Sequence, residues 1–328
     1  MKRLGYQIEK IADPDNLRLA FWKAKKGKSY KPEVIDFQEN LHENLTQIRQ
    51  HMLNGTVEFG NYHYFTIFDP KERQICAASF PERVIHHAMM NVCHPHFEQY
   101  QIYHSYATRT NKGTHRALIQ AQKNSRRFDW YLKMDVRKYF DSIDHGVLLR
   151  RLDKMYKDPH LMALFHQLID TYHTNPGKGL PIGNLTSQYF ANHYLAQADH
   201  YALEYLDTGA YIRYMDDVVI WHNDKAVLQG IQQEFEHFLN EKLQLQLKPQ
   251  ALNRTHRGIP YLGYLVFPFH IKLARRSRRR YIEKIKNYEG KLREGIWSQK
   301  EFQQHVLPLT AFTQHAQSRE FRNAVLQN

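Results

Sequence analysis

The most constraining feature of the sequence is a pair of adjacent aspartates between two strongly β-prone runs. Residues 211–214 and 218–221 are rich in aromatic and β-branched side chains, and Met215-Asp216-Asp217 separates them. Two such runs with a short link predict a β-hairpin that carries both carboxylates at its tip. Because the flanking strands should be buried, the carboxylates would repel each other unless a cation lies between them. The plain alternative is an exposed turn, where aspartate is common.

A third carboxylate, Asp135, lies near the end of another strand-like run, residues 129–136. Mg²⁺ prefers one or two protein carboxylates, with water and substrate phosphates as the remaining ligands. Asp135, Asp216 and Asp217 would together complete a site for two Mg²⁺ ions, for which Mn²⁺ is a possible substitute. A metal pair of this kind activates a hydroxyl nucleophile and stabilises a leaving pyrophosphate.

The charge of the chain indicates a polyanionic partner. Lys and Arg number 46 against 33 Asp and Glu, which gives a formal net charge of +13 over 328 residues. No apolar run approaches the roughly 18 to 20 residues that span a bilayer, so nucleic acid is favoured over a membrane. With two cysteines and no signal-like apolar stretch after Met1, we expect reduced thiols and a cytoplasmic location. The 21 histidines show no metal-ligand spacing, so a histidine metal site is not expected.

Hydrophobic periodicity predicts an irregular alternation of helices and strands, hence an α+β fold. One amphipathic helix should carry Phe37, Leu41, Leu45, Ile48 and Met52 and end at Asn54-Gly55. Residues 62–68 should form a strand stopped by a turn at Asp69-Pro70, and residues 176–179 a loop. Further helices are predicted within 84–97, 148–172, 187–205 and 227–243, and a further strand within 261–267.

The C-terminal part of the chain changes character near residue 270. Ten Lys or Arg and two Glu fall between residues 272 and 293, and residues 275–280 are the densest basic run. Apolar residues at helical spacing follow this run. A basic run is often a solvated helix face, although it also suits a surface that follows nucleic-acid phosphates.

The order of several motifs resembles that of reverse transcriptases. Tyr214-Met215-Asp216-Asp217 is similar to the hallmark tetrad of that family, and residues 133–141 are similar to its first catalytic block. Residues 179–188 resemble the nucleotide-pocket loop, 247–249 the block with a lysine near the triphosphate, and 261–264 the primer-grip hairpin. Residues 69–75 and 105–109 resemble fingers motifs, so the blocks cover about residues 65–270 in the right order.

The resemblance implies a right-hand polymerase with fingers, palm and a small helical thumb. An N-terminal helical extension would occupy residues 1–60. The fingers would comprise 61–125, with 145–180 returning to them. The palm would comprise 126–269 and the basic thumb 270–328.

The resemblance also implies roles for single residues. Asp135, Asp216 and Asp217 would hold the metal ions, with Asp217 contributing least, and Lys248 would protonate pyrophosphate as a general acid. Phe140 would exclude the ribose 2′-hydroxyl, and Arg73 and Lys71 would grip the triphosphate, with Arg83 and Arg109 as weaker candidates. Asp141 and Asp144 would help to place metal or loop, although Asp144 is equally a helix N-cap. The other expected contacts are Ile182, Gly183 and Gln188 to the nucleotide, and Tyr261, Leu262, Gly263, Arg275, Arg276, Arg278, Arg279 and Arg280 to nucleic acid.

The pocket loop departs from the commonest family pattern, which has Gln in place of Ile182 and Pro in place of Gln188. This combination resembles the enzymes of diversity-generating retroelements, which copy a template RNA with errors at adenine for mutagenic retrohoming. The expected partners are therefore template RNA, primer or cDNA, dNTPs and a small basic helical accessory protein. The alternatives are a retron or group II intron type of ordinary fidelity, and a catalytically dead nucleic-acid-binding protein.

Overall fold

The computed structural model describes residues 3–68 and 71–326. The predicted turn at Asp69-Pro70 lies outside the described residues. Within them, the first six helices and first two strands are α1 (Gln7–Ile11), α2 (Pro14–Lys25), α3 (Pro32–Glu39), α4 (Leu41–Asn54), β1 (Tyr62–Ile67), β2 (Arg73–Ala78), α5 (Phe80–Tyr100) and α6 (Thr114–Ser125). They are followed by β3 (Trp130–Asp135), α7 (Tyr139–Ser142), α8 (His145–Met155), α9 (Pro159–Asp170), α10 (Leu185–Tyr205), β4 (Ala210–Tyr214), β5 (Asp217–His222) and α11 (Lys225–Leu243).

The remaining elements are short strands and three helices: β6 (Ala251–Arg254), a 3₁₀ turn (Thr255–Arg257), β7 (Ile259–Tyr261), β8 (Tyr264–Val266), β9 (Ile271–Leu273), α12 (Arg275–Arg293), α13 (Gln299–Gln314) and α14 (Arg319–Leu326). The mixture of helices with antiparallel strands confirms the predicted α+β class. Among the described residues, no helix is both long and apolar enough to cross a membrane.

The chain divides into two compact units. The first comprises residues 1–103, 136–201 and 235–248, and the second comprises residues 104–135, 202–234 and 249–328. Each unit is therefore assembled from three separate stretches of sequence.

The N-terminal helices of the first unit correct one detail of the prediction. The apolar residues from Phe37 to Met52 belong to two helices, because α3 ends at Glu39 and α4 begins at Leu41. At Asn40 the ψ angle is 39°, which departs from helical geometry and turns the chain. The predicted end of the second helix is confirmed, since Gly55 caps α4 with a φ of 69° that glycine adopts without strain.

The first unit also contains a two-stranded hairpin and a loop that packs beside α7. Strands β1 and β2 pair antiparallel, with Phe65 opposite Ile75. The loop from Thr174 to Leu180 runs beside α7, because Gly179 N donates to Ile143 O at 2.9 Å and Leu180 N donates to Phe140 O at 2.8 Å. This loop therefore leads directly from the end of α9 to residues 181–184.

The second unit is built on a four-stranded antiparallel sheet in the order β4-β5-β3-β6. Central strand β3 pairs with β5 on one side and with β6 on the other. In the core of this unit, side chains of the sheet that include Trp221, Tyr131 and Val219 pack against helix α6. The inner strands β3 and β5 each have a paired strand on both sides, and β6 pairs with residues 130–133 of β3.

A second, three-stranded sheet in the order β7-β8-β9 precedes the C-terminal helices. The single strand predicted over residues 261–267 is wrong, since the chain turns at Leu262-Gly263 between β7 and β8. Gly263 has a φ of 87° and Leu262 a φ of 51°, so the turn needs two left-handed residues that hydrophobic periodicity does not reveal. The hairpin expected from the resemblance is the arrangement observed.

Candidate active site

The register of β3 and β5 places two of the predicted carboxylates side by side. Asp135 is the last residue of β3 and Asp217 the first of β5, and the two are direct partners across the strands. Asp216 precedes Asp217 in the turn between β4 and β5, where Tyr214 pairs with Asp217. The second unit thus gathers all three aspartates at one end of its central strands.

Asp217 is partly buried and has a lysine partner. Lys133 Nζ lies 2.7 Å from Asp217 Oδ1, and each side chain is only 17% exposed. Burial raises the pKa of Asp217 to about 6; Lys133 opposes this effect, and the nearby Asp135 and Asp216 add to it. Burial is the largest cause of the raised pKa, and the three neighbouring carboxylates offer oxygen donors and negative charge that suit additional cations.

The turn that carries Asp216 has an unusual backbone and a buried support. Met215 has a φ of 56°, a conformation that costs a non-glycine residue about 1 kcal/mol or more. Arg213 is fully buried, and its Nη1 donates to Met215 O at 2.8 Å. The main chain of Arg213 is held as well, through Tyr106 N and His104 O at 2.9 and 3.0 Å. Arg213 is not predicted from the sequence, because nothing in a β-prone run marks one arginine as buried.

The predicted nucleotide-pocket residues lie in the first unit. Ile182 is half-buried, and its carbonyl accepts a 2.7 Å hydrogen bond from Cys76 N of β2. Gly183 has a φ of 126°, and a Cβ there would lie 2.8 Å from Cys76 O. This close approach requires glycine on both steric and conformational grounds. Gln188 is partly exposed on α10.

Three other predicted nucleotide contacts and the predicted general acid Lys248 also lie in the first unit. Phe140 is half-buried beside this loop, and its carbonyl accepts a bond from Leu180 N. Arg73 and Lys71 are exposed, and Arg73 lies on the same face of β2 as Ile75. Lys248 is half-buried and directly follows Leu247, whose backbone pairs with Val136.

The predicted primer-grip hairpin has a buried base and an exposed tip. Tyr261 is 1% exposed, so its side chain is part of the core and only the tip of the turn is open to a ligand. Gly263 is exposed, and its carbonyl accepts from Ser277 Oγ at 2.7 Å and from Ala274 N at 3.1 Å. These bonds attach the turn at Leu262-Gly263 to the start of α12.

The dense basic run forms the first turns of α12. Arg275, Arg276, Arg278 and Arg279 line a concave surface of about 1400 Å³, whereas Arg280 is half-buried and does not line it. The guanidinium of Arg278 lies over the ring of Phe321 at 4.7 Å, and Arg279 pairs with Glu283 at 3.2 Å. Four of the five predicted arginines therefore share one surface.

The first unit contains a further basic cleft that the sequence analysis did not predict. Its volume is about 1040 Å³, and Lys28, Lys31 and Arg83 supply its positive charge. Burial, followed by the charges of Arg83 and Lys31, lowers the pKa of Lys28. His63 and Phe65 of β1 also line the cleft, with ring centroids 6.0 Å apart.

In the first unit, His145, Asp170 and His173 lie together, with one candidate ligand atom from each within 4.8 Å of the others. A histidine metal site was not predicted, because the three residues are not grouped in the sequence. The only local signal was Asp170 and His173, three residues apart at the end of a helix.

Comparison with known proteins identifies the class. A family model described as reverse transcriptase (RNA-dependent DNA polymerase) matches residues 68–266. The matched span is more than half of the chain, and the chain belongs to the reverse transcriptase family.

Several proteins are similar to the chain in sequence. The chain is 23% identical to protein YkfC of Escherichia coli (strain K12) over 90% of both chains. It is 24% identical to the group II intron-encoded protein LtrA of Lactococcus lactis, over 41% of this chain and 23% of that protein. It is 22% identical to a putative COX1/OXI3 intron 1 protein of Saccharomyces cerevisiae, over 53% of this chain and 22% of that protein. The chain thus spans less than a quarter of these intron-encoded relatives.

Among solved structures, apo telomerase from Candida tropicalis matches with a TM-score of 0.50 and 10% identity. The match covers 76% of this chain and 57% of the telomerase chain. At this identity the likeness concerns the fold alone, and it agrees with the predicted right-hand polymerase fold.

Proposed function

We propose that this protein is an RNA-directed DNA polymerase that uses Asp135, Asp216 and Asp217 in two-metal nucleotidyl transfer. The observation that carries the proposal is the cross-strand pairing of Asp135 with Asp217, with Asp216 in the adjoining turn. Family membership supplies the reaction class, and the three aspartates supply the matching donor set.

The donor set fits hard divalent cations. Three carboxylates offer only oxygen ligands, which Mg²⁺ and Mn²⁺ prefer. Asp135 and Asp216 would be the principal ligands, since Lys133 already compensates part of the charge of Asp217. When bound, the ions would activate the primer hydroxyl and stabilise the pyrophosphate that leaves. Arg213 would keep Asp216 in position through the carbonyl of Met215.

In this proposal Phe140 blocks the ribose 2′-hydroxyl, while Ile182, Gly183 and Gln188 shape the pocket. Arg73 and Lys71 bind the triphosphate by charge-assisted hydrogen bonds. Lys248 protonates the leaving pyrophosphate.

Template and primer would bind along the basic surfaces of each unit. The cleft that contains Lys28, Lys31 and Arg83 combines cations with the rings of His63 and Phe65, a combination that suits a single strand. The arginines of α12 and the turn at Leu262-Gly263 would contact the backbone of a duplex.

We retain the predicted domain boundaries as part of the proposal. Residues 61–125 and 145–180 would form the fingers, 126–269 the palm and 270–328 the thumb, after a helical extension of residues 1–60.

The experiment that tests polymerisation is the substitution Asp216→Asn. An amide removes the charge that binds metal, so we expect DNA synthesis on an RNA template with Mg²⁺ to fall by about 10³-fold or more, roughly 4 kcal/mol of barrier. Asp129→Asn is the matched control, because Asp129 is exposed just before the other end of β3. Normal incorporation by a folded Asp216→Asn protein would contradict the assignment.

For the biological role we propose mutagenic copying in a diversity-generating retroelement, with a small basic helical accessory protein as partner. Support comes from Ile182 and Gln188 in the pocket loop, where Ile182 offers no side-chain hydrogen bond to a nucleotide. A group II intron or retron type is the second candidate, and the intron-encoded relatives favour it.

The substitution Ile182→Gln distinguishes these two roles. A glutamine contact is worth about 1 kcal/mol, and each 1.4 kcal/mol of discrimination is tenfold in rate. For the retroelement role, we expect wild-type errors to concentrate at template adenine and Ile182→Gln to reduce them several-fold. The measurement is the ratio of correct to incorrect kcat/KM at each template base. If the wild-type enzyme copies adenine as faithfully as guanine, the intron or retron role is supported instead.

A further inference from the structure

A group of polar side chains in the first unit has no part in the function proposed above. His145 is the first residue of α8, Asp170 the last residue of α9, and His173 lies three residues beyond α9. The ring centroids of His145 and His173 are 4.9 Å apart. His145 is 6% exposed, whereas Asp170 and His173 reach the surface, so the group is open to ions from solvent.

The hydrogen bond made by His145 determines which of its nitrogens can act as a ligand. His145 Nε2 lies 2.7 Å from the carbonyl oxygen of Gly179. A carbonyl only accepts, so Nε2 must carry the proton, and the lone pair of the neutral ring is on Nδ1. Histidines that bind metals usually donate their second N–H to a carbonyl or carboxylate in this way, which fixes the tautomer and the ring orientation.

The other two donors already have a separation that suits a small cation. His173 Nε2 lies 3.2 Å from Asp170 Oδ1. Two ligands of a tetrahedral zinc ion, each at about 2.0 to 2.1 Å, are separated by about 3.3 Å. As the side chains stand, Gly177 N donates to His173 Nδ1 at 3.2 Å, and His173 Nε2 donates to Asp170 O at 2.9 Å. Ligation through Nε2 would move the ring proton to Nδ1 and displace Gly177, which lies in an exposed loop.

We propose that His145, Asp170 and His173 form a binding site for a zinc-class divalent cation, separate from the three aspartates. Two imidazoles and one carboxylate are ligands typical of Zn²⁺ and its neighbours, whereas Mg²⁺ prefers oxygen alone. Three protein donors leave one position for water.

The position of the site in the fold gives it a structural consequence. The loop between His173 and Gly179 pairs with the chain around α7, where Thr174 Oγ1 donates to Asp141 O at 2.6 Å. A cation held by His145, Asp170 and His173 links the start of α8, the end of α9 and this loop. The loop continues into residues 180–183, so the cation would restrain the segment that carries Ile182.

The test is binding of Zn²⁺ itself to the full chain, after treatment with a chelator, by calorimetric titration. Wild-type protein is expected to bind one equivalent that His173→Gln binds at least about 100-fold more weakly, because loss of a direct ligand should exceed the 10- to 100-fold effect of an outer contact. Asp170→Asn should weaken binding of the same Zn²⁺ ion. The thermal midpoint of the wild type should rise with Zn²⁺ and that of His173→Gln should not. Circular dichroism would verify that both variants fold.

Two control variants separate this site from other metal sites. His160→Gln removes an exposed imidazole at the opposite end of α9, and this variant should still bind one equivalent of Zn²⁺. Asp216→Asn should also keep it, whatever its effect on DNA synthesis, so the two proposals can fail independently. Equal binding by wild type and His173→Gln would overturn the proposal. Loss of the equivalent in Asp216→Asn would assign the ion to the aspartates and overturn it as well.

Discussion

At the tip of the β4–β5 hairpin, a bulky residue adopts a backbone conformation that glycine would adopt at lower cost. Met215 has a positive φ and is held there by the buried guanidinium of Arg213. Strain that the surrounding structure maintains is typical of functional turns, because it fixes the direction of the adjoining side chain. In this molecule that side chain is Asp216.

At the same scale, one prediction concerns how the enzyme distinguishes deoxyribonucleotides from ribonucleotides. Phe140 is half-buried and lies in the block expected to contact the sugar of the nucleotide. Phe140→Ala should lower the dNTP-to-rNTP ratio of kcat/KM by at least about tenfold, equal to about 1.4 kcal/mol, because the ring would no longer exclude a 2′-hydroxyl. Phe65→Ala removes a ring of the same size from the basic cleft and should leave the ratio unchanged. Equal ratios in all three proteins would place the discrimination elsewhere.

The contact between the pocket loop and β2 depends on the absence of a side chain. Gly183→Ala would place a Cβ 2.8 Å from Cys76 O and 2.9 Å from Ile75 Cγ2. Backbone cannot yield cheaply, so the loop should shift and the bond from Cys76 N to Ile182 O should weaken. We expect a loss of about 1 to 3 kcal/mol in the free energy of unfolding, with lower kcat/KM for dNTP.

Gly113→Ala is the control for this prediction. Gly113 also has a positive φ, of 100°, but a Cβ there meets no atom within 4 Å. The two variants share backbone strain and differ in the contact. Urea denaturation measures both, and equal losses would show that the contact has no effect of its own.

The basic helix α12 should act through charge. Arg275→Gln with Arg276→Gln should flatten the log–log salt dependence of template–primer binding by up to about 2 units, since each phosphate contact contributes about 0.9. Lys286→Gln with Arg293→Gln removes the same charge from the same helix, outside the concave surface. The slope is measured by fluorescence anisotropy over a range of salt. Equal flattening in both double variants would indicate a general charge effect.

At the scale of elements, the predicted boundaries of helices and strands were most accurate where the pattern of apolar residues extends over the whole element. Helices α10 and α11 and strands β4 and β5 were predicted to within about two residues. Errors arose where the backbone turns without glycine or proline, as at Asn40 between α3 and α4. They also arose where a hairpin is too short for alternation to show, as at Leu262.

At the scale of the whole molecule, two buried histidines should make the fold sensitive to acid. Burial lowers the pKa of His86 and of His193 to about 3. Between pH 6.5 and about 3 the unfolded chain therefore binds more protons, and the free energy of unfolding falls as the pH falls. For each histidine, the free energy of unfolding falls by about 1.4 kcal/mol per pH unit below 6.5, which is about 2 kcal/mol between pH 6.5 and pH 5.

The substitution His193→Phe tests this effect. His193 packs against the rings of Phe97 and Tyr100, with centroids at 5.4 and 5.0 Å, so an apolar ring suits the position. The variant should lose less stability than the wild type between pH 8 and pH 5. His256→Phe, at an exposed histidine, should leave the pH dependence unchanged. Urea denaturation at both pH values provides the measurement, and an unchanged slope in His193→Phe would contradict the expectation.

The candidate site was predictable only in part. The aspartates could be found because paired carboxylates beside β-prone runs are chemically unusual. Their supports, Lys133 and Arg213, could not be found, because contacts across a sheet depend on a register that the sequence does not display. Which residues belong to which unit could not be predicted either, since each unit joins three separate stretches of the chain.

The pairing of Asp135 with Asp217 has a consequence for how this gene can change. Side chains alternate between the faces of a strand, so a one-residue deletion within β3 or β5 would send one carboxylate to the opposite face. Single substitutions on exposed parts of the same strands leave the pairing intact. Natural variation here should therefore accumulate as replacements, while insertions and deletions of even one codon should be eliminated, and a deletion scan should show a gap at these strands.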